Sequence, residues 1–144
     1  MQFENERHEA SFGKLAAFCT EDKGFAPASG EAPGFVIRDG GTLIVVLALP
    51  WGETQSVYQL RALMVRDVPV GLKAAKWLLE LNDTVVLGAF GWSDDSGLFF
   101  GYTVPADDLT EEALATSIAA VGMTARHYAP EIIDKFGGRL FFAE

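Results

Sequence analysis

Cysteine, positive charge and long apolar runs are all scarce in this sequence. One cysteine among 144 residues, Cys19, cannot close an internal disulfide. Eleven Lys and Arg stand against 20 Asp and Glu, for a net charge of −9 and a sequence pI near 4.6. Such a chain is repelled by a phosphate backbone and by an anionic leaflet, so neither nucleic acid nor membrane is expected as a partner. Its longest wholly apolar run, Leu43 to Trp51, falls far short of the roughly 20 residues needed to span a bilayer. The opening residues Met1 to Arg7 lack the apolar core of a signal segment, which together with the lone cysteine predicts a cytoplasmic protein.

Chemistry-bearing motifs are scarce as well. His8 and His127 lie at opposite ends of the chain, outside any metal-ligand spacing, and with a single cysteine no zinc site is expected. No nucleophile elbow and no glycine-rich phosphate loop occurs, so no catalytic residue, no cofactor and no metal is expected. The acidic pairs have simpler explanations. Asp94-Asp95-Ser96-Gly97 lacks the ligand periodicity of a calcium loop and reads as a turn. Asp107-Asp108 and Glu111-Glu112 crowd a helix start, where the helix dipole favours negative charge. Cys19 reads as a small buried hydrophobe.

What is present is a globular composition: 49% apolar residues, with 11 Phe, 3 Trp and 3 Tyr. Residues 1–144 are expected to form a single domain. A helix is predicted over residues 5–19, with Asn5 as N-cap and Phe12, Leu15, Ala16 and Cys19 on one face. A loop from Gly24 to Gly34 follows. Strands are predicted at Phe35–Arg38, Thr42–Pro50 and Ser56–Arg66, separated by Asp39-Gly40-Gly41 and by a Pro-Trp-Gly connection. Pro69 suits the first turn of a second helix ending at Asn82-Asp83. Val85–Trp92 and Leu98–Val104 read as a hairpin around Ser93 to Gly97. A last helix starts at its N-cap Thr110, carries an apolar stripe from Leu114 to Phe136, kinks or restarts at Pro130, and stops at Gly137-Gly138. The order α-β-β-β-α-β-β-α makes an α+β fold with an antiparallel sheet of about five strands.

The strands carry the functional signal. Leu43 to Leu49 is aliphatic at every position and Leu98 to Tyr102 nearly so, which places apolar groups on both faces of the sheet. The first and last helices suffice for one face, and the short middle helix is too small to cover the other. A bare second face of several hundred Å² drives association at roughly 25 cal/mol per Å². The expected cover is a second copy of the chain, an apolar segment of another polypeptide, or both. The alternative arrangement is a parallel sheet, or one sandwiched between the chain's own helices. Contact residues are expected among exposed strand side chains around Trp51, Tyr58, Leu60, Trp92 and Phe99. Aspartate at Leu47 or Leu49 is expected to impair folding or dimerisation.

In the second half of the chain, Leu78-Leu79-Glu80-Leu81-Asn82, Gly88, Asp94-Asp95-Ser96-Gly97-Leu98, Thr103-Val104-Pro105, Leu109-Thr110-Glu111-Glu112-Ala113-Leu114 and Phe136-Gly137-Gly138 resemble the YbjN-like bacterial sensory transduction regulators. The pattern is also similar to the wider fold group of type III secretion chaperones, the CesT-like proteins. That resemblance, over residues 42–138, implies a secretion chaperone-like α+β domain, homodimeric and non-enzymatic, that binds client polypeptides without ATP. It leaves two branches, regulator and secretion effector chaperone. A small-molecule-binding or enzymatic α+β domain is the competing class.

Overall fold

Two side-chain caps fix where the first and last helices begin. In the computed structural model, which describes residues 2–142, Asn5 Oδ1 accepts the His8 backbone N–H at 2.8 Å and opens α1 (Glu6–Phe18). Thr110 Oγ1 accepts the Ala113 N–H at 3.1 Å and opens α3 (Glu111–Phe136). Pro130 neither ends nor restarts α3, which runs unbroken to Phe136. The helix is long enough, and packed along enough of its length, to tolerate one missing hydrogen bond.

Among the described residues seven antiparallel strands form one sheet: β1 (Ala26–Pro27), β2 (Gly34–Asp39), β3 (Thr42–Trp51), β4 (Gln55–Arg66), β5 (Ala89–Ser93), β6 (Gly97–Pro105) and β7 (Arg139–Leu140). Their order is β1-β2-β3-β4-β6-β5, with β7 pairing the end of β4. The two strands beyond the expected five, β1 and β7, are two residues each, too short to leave a period in the sequence. Every strand pair is antiparallel, which excludes the alternative of a parallel sheet.

The helix α2 (Leu72–Thr84) connects β4 to β5. It begins three residues beyond Pro69, with Gly71 as N-cap, and continues through Asn82 and Asp83 rather than stopping there. Asn82 has a structural task inside the last turn. Its Oδ1 accepts the Phe90 N–H at 2.7 Å and its Nδ2 donates to the Phe90 carbonyl at 3.3 Å, which ties α2 to β5. Residues 85–88 are therefore a connection and not the start of a strand, and Gly88, at φ +99°, could not carry a Cβ without meeting Phe100 and the Gly101 carbonyl.

One core lies between the sheet and the helices. Ile44, Val46, Ala48, Tyr58, Leu60, Ala62, Met64, Leu98 and Phe100 pack there with Leu15, Leu78, Leu114, Val121, Ala125 and Ile132 of the helices. Phe12 of α1 stacks on Phe35 of β2, Tyr128 of α3 meets Phe90 edge-on, and Trp77 of α2 meets Phe136 of α3. All three helices thus join the same layer, on one side of the sheet.

Candidate functional site

Strand alternation divides the side chains into two sets. In β3 the even positions Ile44, Val46 and Ala48 are buried and the odd positions Leu43, Val45, Leu47 and Leu49 are half-buried; β4 repeats this, with Tyr58, Leu60 and Ala62 buried and Val57, Gln59, Arg61 and Leu63 half-buried. The registers Val45↔Arg61, Leu47↔Gln59, Leu43↔Leu63 and Leu63↔Phe99 place the half-buried set together on the side away from the helices. Among the described residues that side is an apolar surface with no helix over it, bordered at one corner by Phe142, over whose ring Arg38 lies. It is the strongest candidate for a binding site.

The five expected contact residues do not share a surface. Phe99 lies on the open face, with the Arg61 guanidinium 4.3 Å from its ring centroid and Gly91 beneath its ring, where a Cβ would sit 2.5 Å from Phe99 Cζ. Trp51 ends β3 at the rim, 65% exposed, and walls a cleft of about 640 Å³ shared with Arg7, Gln55, Asp107 and Asp108. Trp92 is 46% exposed but sits on edge strand β5 opposite Leu98, on the helix side. Tyr58 and Leu60 require a correction. Both are buried beneath α1 and α3, because even positions of β4 point to the helix layer; a strand apolar on both sides conceals that parity.

Arg61 was not anticipated, although a signal for it exists. Gln55, Gln59 and Arg61 put three of the polar residues of β4 at odd positions, against a buried Ser56 and the terminal Arg66 at even ones, and that majority marks the odd side as the outer one. Among the described residues Arg61 has no carboxylate partner, whereas Arg7, Arg126 and Arg139 pair with Asp107, Asp39 and Asp67.

Beneath α1 a buried polar cluster fixes the helix to the hairpin. The Glu4 N–H donates to His8 Nδ1 at 3.1 Å, leaving Nε2–H to donate to the Ala48 carbonyl at 2.9 Å. Ser11 Oγ bonds Ser56 Oγ, and the Tyr58 hydroxyl donates to the Ser11 carbonyl at 2.7 Å. Burial pushes the Tyr58 phenol up to about 12, helped by Cys19 and Asp107 nearby. Burial likewise pushes the Cys19 thiol up to about 12, against a small opposing effect of Lys23. Both groups are held neutral, an arrangement suited to structure rather than to nucleophilic attack. Among the described residues no three His, Cys, Asp or Glu side chains come together as a metal cluster, and no helix is long and apolar enough to cross a membrane.

Comparison with known proteins follows the same lines. Residues 15–144 match the family model of the T3SS (YopN, CesT) and YbjN peptide-binding chaperone 1. A chain of the heterodimeric complex ExoU-SpcU from the type III secretion system of Pseudomonas aeruginosa has a similar fold, with a TM-score of 0.56 and 15% sequence identity, over 79% of this chain and 93% of that one. No curated protein matches significantly.

Proposed function

The chain belongs to the family of T3SS and YbjN peptide-binding chaperones, and from that premise we propose that it holds an extended segment of another polypeptide on the open face of its sheet, without catalysis. The observation that carries this reading is the half-buried set Leu43, Val45, Leu47, Leu49, Val57, Leu63 and Phe99, apolar and with all three helices on the other side. Covering about 300 Å² of such surface contributes roughly 7 kcal/mol before the entropy of association is subtracted. An extended client matches the spacing of the face, since its alternate side chains meet the strands at a period of two. That the structural neighbour comes from a two-chain secretion complex favours a foreign client over self-assembly alone. The protein is read as cytoplasmic, in either the regulator or the secretion-chaperone branch.

A reduced and alkylated, permanently unfolded polypeptide is expected to bind near one segment per chain, without ATP and with its covalent mass unchanged. Failure to bind any unfolded chain, together with thermal stabilisation by a small metabolite, would overturn the reading in favour of a ligand-binding domain.

We place the proposed homodimer contact elsewhere. Leu72 and Leu79 are 79% and 69% exposed, seven residues apart on one side of α2, and Asn82 fastens that helix to β5, two residues before the exposed Trp92. Light scattering is expected to give twice the chain mass of 15.6 kDa for the native protein and a single chain mass for Leu79→Asp. A monomeric native protein would remove the dimer and leave the open face as a client site.

A further inference from the structure

The open face is charged oppositely to the molecule that carries it. Of the 20 acidic residues in a chain of net charge −9, none lies at the outward positions of β2, β3, β4, β5 or β6, while Arg61 does. Arg61 stands in the middle of β4, between β3 and β6. Its guanidinium carbon lies over the Phe99 ring, 4.3 Å from the centroid, a cation–π contact that holds the charge at the face without consuming its N–H donors. Small residues continue the surface. Gly101 is directly opposite Arg61, and Ala89 opposite Gly101, so a shallow trough of about 200 Å³ runs beside Arg61 and Phe99.

An arginine with no acid partner, set in an apolar face, loses hydration when the face is covered unless the occupant brings an acceptor. We infer that Arg61 reads an acidic side chain in the client: the segment that binds the open face carries Asp or Glu among apolar residues, placed to meet the guanidinium over Phe99. The same charge argues against a second copy as the occupant, because a two-fold axis through the middle of the face brings one Arg61 toward the other. This inference rests on the open face being the client site and adds the chemistry of the client.

Twelve-residue peptides alternating Val or Leu with Thr, and differing only in a central Glu, Gln or Lys, test it against the native protein and the Arg61→Gln and Arg61→Glu variants. Since Arg61 lies outside the core, both variants are expected to keep the native melting transition. The native protein is expected to bind the Glu peptide about tenfold or more tighter than the Gln peptide and the Lys peptide weakest. Arg61→Gln removes the preference, and Arg61→Glu reverses it. An identical ranking in native and Arg61→Glu proteins would overturn the inference while leaving the face as a binding surface. Absence of binding by every peptide, with the native fold intact, would remove the face as the client site and this inference with it.

Discussion

Val46→Asp is expected to prevent folding, whereas Leu47→Asp, one position along the same strand, yields a folded protein that no longer binds unfolded polypeptide. This departs from the sequence-based expectation of impaired folding or dimerisation, because Leu47 is half-buried on the face away from the helices. Val46 is fully buried between β3 and the helices, and an aspartate there must be desolvated without a partner, a penalty on the order of several kcal/mol against a total stability of about 5–15 kcal/mol. Leu47 points to the other side and keeps access to water, so its aspartate stays hydrated and reduces stability by only about 1 kcal/mol. It stands in the middle of the face, paired with Gln59 and beside Gly34, where its charge must be stripped of water whenever a client docks. Circular dichroism and calorimetry report folding for each variant, and anisotropy of a labelled unfolded polypeptide reports binding. Equal loss of structure in both variants would show that the two faces are equally internal.

Alkaline pH is expected to destabilise the protein steeply, through groups placed far from the open face. In the unfolded chain the Cys19 thiol and the Tyr58 phenol ionise near their ordinary values of 9.0 and 10.0, while in the folded protein both stay protonated to about 12. Above pH 9 the unfolded state therefore binds fewer protons than the native state, and stability declines as pH rises toward 12. At about 1.4 kcal/mol per pH unit for each group, the loss amounts to several kcal/mol by the upper end of that window. Urea midpoints measured at pH 8, 10 and 11.5 are expected to drop sharply for the native protein and much less for the Cys19→Ala/Tyr58→Phe double variant. Parallel declines in the two proteins would show that these groups are hydrated in the native state.

The helix caps were legible in the sequence because Asn5 and Thr110 act on backbone groups only three residues away. The Ser93–Gly97 turn was legible for the same reason, and Ser96 N–H indeed bonds Ser93 Oγ at 3.0 Å. Tyr58 and Leu60 were misplaced since the face a strand residue occupies depends on partners distant in sequence: Tyr58 is hidden by Ser11, across 47 positions. The starts of α2 and β5 shifted for a similar reason. The Asn82–Phe90 pair holds the end of the helix against the edge strand, and no local pattern announces it. Two apolar faces were visible in Leu43 to Leu49, but which of them the helices would take was indicated by the larger polar residues in the body of β4, Gln59 and Arg61, both at odd positions.

Methyl resonances offer the most direct view of where a client sits. On addition of the permanently unfolded polypeptide to methyl-labelled protein, the signals of Leu43, Leu47, Leu49 and Leu63 are expected to shift while those of Leu15, Leu60 and Leu98 stay in place. Shifts confined to Leu72 and Leu79 of α2, or to Ile37 and Ile118 in the groove of about 330 Å³ between β2 and α3, would contradict the account.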